Sequence, residues 1–299
     1  MSQVLYHYCS TPTGAAILKS RTFRLSALSA ANDILEGRVL ARVFSRLLSS
    51  TGLAAGVIDV AAVIVEGYAD STEGFALCLS ENGDLLSQWR AYGADGAGLA
   101  IGFDSKLLAK DFGPINFGAQ FFEVTKIGYG EDALIDTLSP VVKELQLVFS
   151  GQGEFVKLRD GVTREAALYR LAVRQHDAGS LFEGRCDRAP ELLANLLKIL
   201  APLHFQIYAT KPEVFHEERE WRLLRHRHRV ALADVEYHAD PTMLRPFVSC
   251  LIADPAKEVI REVVVGPKHR SDINWLKAFL ASSGLEHVQV TRSKIESYR

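Results

Sequence analysis

The chain has 299 residues, with 34 lysines and arginines against 36 aspartates and glutamates, so its formal net charge is −2. Hydrophobic residues make up 48% and charged residues 23%, a balance that is typical of globular proteins and excludes a disordered or fibrous chain. The near-neutral charge argues against a dedicated nucleic-acid binder, although a local basic patch stays open.

The sequence predicts no membrane span and no disulfide framework. The most apolar stretch, Leu53–Val65, is interrupted by Asp59 and is shorter than the roughly 20 residues that a spanning helix needs. The first residues lack the basic and apolar regions of a secretory signal. The four cysteines are far apart and form no C-x-x-C pair, which favours reduced thiols. We therefore expect a cytoplasmic protein without a membrane partner.

The first third of the chain predicts short strands and longer helices. Strands are expected at Val4–Tyr8 and Thr22–Leu25, and Thr11-Pro12 offers a helix cap and a first-turn proline between them. Apolar residues at helical spacing then predict one helix over Leu35–Leu47 and another over Ala54–Tyr68.

The middle of the chain predicts a change from strands to helices. Strands are expected at Gly74–Leu79, Gly98–Phe103 and Phe121–Tyr129, with a short aromatic helix over Leu85–Tyr92. Pro202 should break the last of the helices that follow. These predicted helices are Ala133–Phe149, Arg164–His176 and Pro190–Tyr208.

The final third predicts strands again, with one helix over Ser271–Ser282 capped by Ser271. The predicted strands are Glu220–Val230, Phe247–Ala253, Val259–Val265 and His287–Thr291. Strands at both ends around a helical middle predict an α+β fold with a mixed, mostly antiparallel sheet. We expect a single domain over residues 1–299, with 130–210 as a mainly helical insertion.

Two segments near the start of the chain combine polar residues in suggestive ways. In Tyr6-His7-Tyr8, strand alternation makes His7 face away from both tyrosines, either as a surface histidine held by a hydrogen bond or as a ligand contact. In Asn32-Asp33-x-x-Glu36, the spacing is that of a helix capping box, but both carboxylates could also meet a ligand hydroxyl.

A third segment runs from Ser80 to Tyr92. Trp89 and Tyr92 are three residues apart and share a helix face. They are either anchors of the core or the apolar wall of a pocket, in which case Ser80, Ser87 and Gln88 would be its convergent polar groups.

A fourth segment, His216–Arg222, concentrates carboxylates. In a strand, Glu218 and Glu220 would project from the same face. One interpretation is a solvated ion-pair cluster neutralised by Arg219 and Arg222. The other is a carboxylate pair that orients a sugar hydroxyl and stabilises the positive charge of glycosidic bond cleavage. Crowded negative charge would then raise the pKa of one of the two glutamates.

The segment Arg225-His226-Arg227-His228-Arg229 continues directly from these carboxylates. Strand alternation puts the three arginines on one face, where they could hold a pyrophosphate or a nucleic-acid backbone. The two histidines lack a third ligand at a recognised spacing, so we expect no metal. Motifs of P-loop, α/β-hydrolase and Rossmann proteins are also absent from the sequence.

A set of motifs occurs in a characteristic order along the chain. They are Leu5-Tyr6-His7-Tyr8, Asn32-Asp33-x-x-Glu36, Ser80-Glu81-Asn82, Trp89-x-x-Tyr92, Gly98-x-x-Ile101-Gly102-Phe103, Lys211-Pro212, Glu218-x-Glu220-Trp221-Arg222, Gly266-Pro267-Lys268 and Ser293-Lys294-Ile295-x-x-Tyr298-Arg299. Through these motifs the chain resembles a widespread bacterial family, domain of unknown function 2971, whose membership alone implies no activity. In that family the tail runs from isoleucine into proline-tyrosine-arginine, whereas here Glu296 and Ser297 replace the proline.

The chain also resembles the ADP-ribosyltransferase superfamily, through His7, then Ser80 or Tyr92, then Glu218-Arg219-Glu220. That resemblance implies a split sheet around a cleft that takes NAD as substrate. It implies Glu220 as the catalytic carboxylate, Glu218 as its hydrogen-bonding helper and His7 at the ribose. The remaining roles are Ser80 supporting its strand, Trp89 and Tyr92 walling the nicotinamide pocket, and Arg222 or Arg225 at the pyrophosphate.

Two alternatives stay open. One is a sensor or effector module that binds a small nucleotide in the same cleft without chemistry. The other is an enzyme that acts on nucleic acid through Arg225, Arg227 and Arg229, with or without a metal at His226 and His228. The sequence names neither a protein target nor a nucleic-acid target.

Overall fold

The computed structural model of the chain describes residues 3–30, 39–111, 121–153, 155–163, 166–167, 181–229, 234–239, 242–252 and 258–296. Two short 3-10 turns cover Leu28–Ala30 and Glu213–Glu218. The helices are α1 (Thr11–Ser20), α2 (Val39–Ser49), α3 (Ala55–Ser71), α4 (Leu86–Ala91), α5 (Ser105–Asp111), α6 (Gly130–Phe149), α7 (Ala189–Leu200), α8 (Leu203–Gln206) and α9 (Ile273–Ser282).

The strands alternate with these helices along the chain. They are β1 (Val4–Cys9), β2 (Thr22–Ala27), β3 (Thr72–Ser80), β4 (Leu99–Asp104), β5 (Phe121–Lys126), β6 (Gly128–Tyr129), β7 (Val156–Leu158), β8 (Phe182–Gly184), β9 (Thr210–Lys211), β10 (Glu220–His228), β11 (Glu236–Ala239), β12 (Leu244–Leu251), β13 (Ile260–Val265) and β14 (Gln289–Arg292).

Ten of the described strands form one mixed sheet. The order along its main path is β11-β12-β2-β3-β1-β4-β13-β14, and β10 pairs with β3 and β5 beside this path. Its pairs are antiparallel except for β13 with β14. The predicted α+β class with a mixed, mostly antiparallel sheet is therefore confirmed.

The two faces of this sheet carry different cores. Leu77 on β3 and Leu223 on β10 point into a core that also contains residues of α1 and α9. On the opposite face, Ala76 and Leu224 pack into a second core, which is formed mainly by helices α2, α3, α6 and α7. Beyond Ala76 and Leu224, toward Ser80 and Glu220, this second face of the same two strands becomes polar.

The helix caps differ from the sequence prediction by one residue each. Ser10 caps α1, because its side chain accepts a hydrogen bond from the backbone N–H of Thr13, so the prediction of Thr11 was wrong. Asp272, rather than Ser271, caps α9 by accepting from the N–H of Asn274 at 2.7 Å. Both caps satisfy an otherwise unpaired amide of the first helical turn.

Other predicted elements were shifted, divided or missed. The expected strand over Phe121–Tyr129 is divided at Ile127, and the expected helix over Pro190–Tyr208 breaks before Pro202 as predicted. Helix α5 and the short strands β7, β8, β9 and β11 had no clear sequence signal. Most of the helix predicted at Arg164–His176, and the Asp33 and Glu36 carboxylates, lie outside the described residues.

The glycine at the start of β4 has a steric reason. A Cβ at Gly98 would lie 2.1 Å from the carbonyl oxygen of Cys9, so no other residue fits without moving the backbone. None of the helices in the described ranges combines the length and the apolar character that crossing a membrane requires.

Candidate functional site

The main sheet splits along one edge of β3. This edge pairs with β2 at Ser26↔Ala76 and with β1 at Tyr6↔Ser80. Between these two points, within the described residues, Leu77–Leu79 have no strand partner on that edge. A cleft therefore opens between β1 and β2, with β3 as its floor.

The strand register collects polar side chains beside this cleft. Arg222 lies opposite Cys78, and Glu220 lies opposite Ser80. Opposed residues of an antiparallel pair share a face of the sheet, as do residues two apart on one strand. The four side chains consequently project on the face that packs against α2, α3, α6 and α7, just beyond the point where that core ends.

A pocket of about 180 Å³ occupies the cleft. Strands β1, β2 and β3 form its walls. Gln88 and Tyr92, from α4 and its C-terminal cap, close one side, and Lys211, Glu218 and Glu220 form the charged side. The volume is below the roughly 300–1,000 Å³ of pockets that enclose drug-sized ligands. It suits a fragment the size of one ring.

Lys211 bridges the two carboxylates of the charged side. Its Nζ lies 2.9 Å from Oε2 of Glu218 and 2.8 Å from Oε2 of Glu220. Burial alone would lower the pKa of Lys211, but the two glutamates outweigh it and raise the pKa above its ordinary value. Lys211 therefore stays charged and holds the carboxylates together.

Arg222 is the second cation of this network. Its Nε donates to Oε1 of Glu220 at 2.8 Å, and its Nη1 donates to the carbonyl oxygen of Tyr208 at 2.9 Å. Burial would raise the pKa of Glu220, but Arg222 and Lys211 together lower it. The expectation that crowded negative charge raises the pKa of a glutamate was wrong for Glu220, because two cations face it.

The two glutamates do not sit on one strand. Glu218 ends the 3-10 turn, Arg219 has a left-handed backbone with φ of 43°, and Glu220 begins β10. The two side chains still reach the same pocket, because the turn at Arg219 redirects the chain. The sequence suggested Arg219 as a cation that neutralises these glutamates. Arg219 is exposed, however, and Lys211 pairs with both carboxylates instead.

Two tyrosines add hydrogen bonds to the glutamates, besides the ion pairs with Lys211 and Arg222. The hydroxyl of Tyr92 donates to Oε1 of Glu218 at 3.4 Å, and the hydroxyl of Tyr129 accepts from the backbone N–H of Glu220 at 2.6 Å. Burial, with a contribution from Glu218, raises the pKa of Tyr92 to about 12. Tyr92 is 44% exposed and lines the pocket.

Ser80 and Trp89 are buried next to the pocket and do not line it. The hydroxyl of Ser80 donates to the carbonyl oxygen of Glu218 at 2.8 Å and accepts from the N–H of Asn82. Trp89 is fully buried, and its ring meets that of Tyr8 edge to face with 4.8 Å between centroids. Tyr8 lines the pocket and Trp89 does not, so the prediction that Trp89 walls the pocket was wrong.

His7 and Cys78 meet across the split in the sheet. Nδ1 of His7 lies 3.0 Å from the carbonyl oxygen of Cys78, so Nδ1 carries the proton and donates. Burial lowers the pKa of His7, which keeps the ring neutral at pH 7. The Cys78 thiol is reached by solvent through the pocket but is otherwise surrounded by protein, and this burial, with Glu220 nearby, raises its pKa.

Arg225 lies away from the pocket. It projects from the opposite side of β10 to Arg222, and its Nη2 lies 2.9 Å from Oδ2 of Asp234, which also pairs with Arg227. Arg229 pairs with Glu73. The predicted contact of Arg225 with a pyrophosphate in the same cleft was wrong. Asp234 and Glu73 offset two of the three positive charges of Arg225, Arg227 and Arg229, and the nucleic-acid alternative stays a prediction.

His226 is buried among the rings of His204, Phe205 and Tyr208. Neither of its ring nitrogens has a hydrogen-bond partner among the described residues. Burial lowers its pKa to about 3. The described part of the chain contains no group of three histidine, cysteine, aspartate or glutamate side chains arranged to hold a metal ion.

Sequence reasoning missed several residues of the pocket. Lys211 appeared only within a family motif, and Arg24, Ser26 and Cys78 were assigned no role. A signal existed for two of them, because Arg24 and Ser26 alternate with the apolar residues of β2, which marks them as one polar strand face.

Comparison with known proteins identifies one region of the chain. The family model described as "Protein of unknown function (DUF2971)" matches residues 88–223, which confirms the predicted resemblance to that family. No curated protein and no solved structure matches the chain. The resemblance to ADP-ribosyltransferases stays a prediction.

Proposed function

We propose that this chain is an NAD-consuming enzyme of the ADP-ribosyltransferase type. Its residues 88–223 match the DUF2971 family model, which by itself assigns no activity. The observation that carries the proposal is the position of Glu220. Its carboxylate lines a small pocket in the split of the sheet and is held ionised there by Arg222 and Lys211.

The proposed reaction breaks the bond between nicotinamide and its ribose. Nicotinamide leaves with the bonding electrons as a neutral molecule, so positive charge develops on the sugar. An ionised carboxylate in a site with little water stabilises such a charge more strongly than bulk solvent does. A water or a target side chain then adds to the anomeric carbon and loses its proton.

The size of the pocket supports a partly inserted ligand. A volume of about 180 Å³ admits the nicotinamide ring with its sugar at the mouth, whereas the adenosine half of NAD would lie outside. Tyr92 provides an aromatic wall for the ring, and the neutral His7 provides a polar contact without adding charge.

In this proposal the residues of the network have distinct roles. Glu220 is the catalytic carboxylate and Glu218, held by Lys211 and Tyr92, is its hydrogen-bonding helper. Arg222 is a positioning residue, because it is 1% exposed and acts through Glu220.

A second candidate is a module that binds the same ligand without turning it over. One specific observation favours it. Both oxygens of Glu220 already accept hydrogen bonds or ion pairs, Oε1 from Arg222 and Oε2 from Lys211. A ribose hydroxyl that donates to this carboxylate would have to use the lone pairs that the two cations leave, and a protein that only binds its ligand does not need that contact.

The test measures NAD binding by isothermal calorimetry and nicotinamide release on the same sample. For the enzyme, we expect both, with Glu220→Gln lowering release by about 100-fold or more. Glu217→Gln is the matched control, because Glu217 is exposed and stands outside the pocket lining. Binding without release would support the module, and absence of binding at millimolar NAD would refute both.

Glu220→Gln leaves Arg222 without its buried partner, so a loss of folding must be separated from a loss of chemistry. Thermal unfolding of each variant makes this distinction.

Tyr92→Ala is an independent test of NAD binding, because Tyr92 is 44% exposed and its removal should leave the fold intact. We expect this variant to bind NAD several-fold more weakly, from the loss of about 0.5–1.5 kcal/mol of aromatic contact. Unchanged binding would contradict the placement of the nicotinamide ring.

A further inference from the structure

Strand β2 turns a polar face toward the pocket. Arg24 and Ser26, two residues apart, line the cavity and are exposed. The residues between and beside them, Phe23, Leu25 and Ala27, are buried in the core. The strand is anchored by these apolar residues, so the two polar side chains are presented to the pocket from a fixed backbone.

The charges around the pocket do not cancel. Glu218 and Glu220 contribute two negative charges, and Lys211 and Arg222 contribute two positive charges, so this network is neutral as a whole. Arg24 adds one more positive charge, and within the described residues it has no carboxylate partner. A cavity with a surplus cation attracts an anionic ligand.

An aromatic ring, not an acid, supports the guanidinium of Arg24. Its Cζ lies 4.7 Å from the ring centroid of Phe247, which faces Ser26 across the pairing of β2 with β12. A cation held over a ring keeps its full charge and its N–H donors for another partner.

We propose that Arg24 binds a phosphate group of the ligand, with the hydroxyl of Ser26 as a second donor. The planar fork of N–H donors on arginine matches the geometry of phosphate oxygens. The inference deepens the proposed function, since it rests on the same pocket and makes the ligand a phosphorylated nucleotide. It also gives Arg24 the anion-binding role that the sequence suggested for Arg222 or Arg225.

The experiment compares four probes by calorimetry on the full chain: NAD, nicotinamide mononucleotide, nicotinamide riboside and inorganic pyrophosphate. We expect the riboside, which lacks phosphate, to bind at least about 10-fold more weakly than the mononucleotide. Arg24→Gln should weaken binding of the mononucleotide by about 10- to 100-fold and leave the riboside unchanged. If only NAD and pyrophosphate respond to the variant, the group bound is the pyrophosphate and not a single phosphate.

Arg270→Gln is the matched control, because Arg270 is exposed and lies outside the pocket lining. It should leave binding of every probe unchanged. Arg24→Lys retains the charge without the fork, so it should recover part of the lost affinity. Thermal unfolding is expected to be the same for all three variants, since both arginines are exposed.

The inference is overturned if Arg24→Gln binds the phosphorylated probes as tightly as the wild type, or if no phosphorylated probe binds at millimolar concentration. The proposed chemistry can fail separately. Binding that depends on Arg24 without nicotinamide release would refute the enzyme and leave this inference standing. Nicotinamide release with binding that does not depend on Arg24 would refute the inference alone.

Discussion

The guanidinium of Arg222 and the carboxylate of Glu220 form an ion pair on one face of β10, with Nε 2.8 Å from Oε1. The two residues are 1% and 3% exposed. A charge buried this deeply is tolerated only when it is paired and its remaining donors or acceptors are satisfied. The carbonyl oxygen of Tyr208 meets this need for Arg222, and Lys211 meets it for Glu220.

Removing Arg222 should strongly destabilise the protein. Arg222→Met leaves Glu220 buried with Lys211 as its remaining cation, so we expect the free energy of unfolding to fall by about 3–5 kcal/mol. Urea unfolding at pH 7 measures this loss. The control is Arg188→Met, which removes an exposed pair with Glu191 and should cost no more than about 1 kcal/mol. Equal losses of unfolding free energy in the two variants would mean that the buried pair stabilises the protein no more than the exposed pair does.

Removing Lys211 should produce a loss of stability that depends on pH. In Lys211→Met, the carboxylates of Glu218 and Glu220 face each other without the cation between them, so repulsion raises the pKa of one of them in the folded state. A carboxylate with a raised folded pKa adds stability as the pH falls. We expect unfolding experiments to show a gap between wild type and variant that is largest at pH 8 and shrinks toward pH 4.

The control for that experiment is Lys126→Met. Lys126 pairs with Glu81 at the surface, with 58% of its side chain exposed, so its removal should change stability by about 1 kcal/mol or less. A gap for Lys211→Met that stays constant from pH 8 to pH 4 would mean that the two carboxylates do not interact.

His226 should make the wild-type protein sensitive to acid. Its folded pKa is about 3, below the ordinary value of 6.5, so between these values the unfolded chain binds a proton that the folded chain excludes. Stability is therefore lost as the pH falls below 6.5, with a slope of at most about 1.4 kcal/mol per pH unit from this group. His226→Phe should reduce this slope, as measured by urea unfolding at pH 7, 6 and 5.

The same variant tests whether the unpaired ring nitrogens carry a cost. Replacing an unsatisfied buried polar group by an apolar ring of similar shape is neutral or stabilising. We expect His226→Phe to be at least as stable as the wild type at pH 7. A clear loss there would point to a partner for the imidazole.

Asp84 should hold Ser293 and Lys294 beside Trp89. Its Oδ1 accepts from Nε1 of Trp89 at 2.8 Å and from the hydroxyl of Ser293 at 2.6 Å, and its Oδ2 accepts from the N–H of Lys294. Asp84→Ala should cost about 1–3 kcal/mol and increase hydrogen exchange at Lys294. Asp187→Ala, at an exposed position, is the control and should leave that exchange unchanged.

Local patterns were sufficient to predict much of the fold. Alternation in Tyr6-His7-Tyr8 and the apolar runs around Leu77 and Ile101 identified the central strands, because a strand repeats every two residues. Tyr92 lies at the pocket, whereas Trp89 is buried in contact with Tyr8 and does not line the pocket. Both aromatic residues fit the same helix face, so spacing alone could not separate an anchor from a wall.

The sequence by itself determined the α+β class, the family motifs and the concentration of charge around Glu220. Only the tertiary structure decided that Lys211, not Arg219, neutralises that charge, and that Arg24 enters the same cleft from β2. The physical reason is the range of the interactions. The periodic patterns of helices and strands depend on residues that are close together in the sequence. Strand register and the split beside β3 depend instead on pairing between segments far apart in the chain.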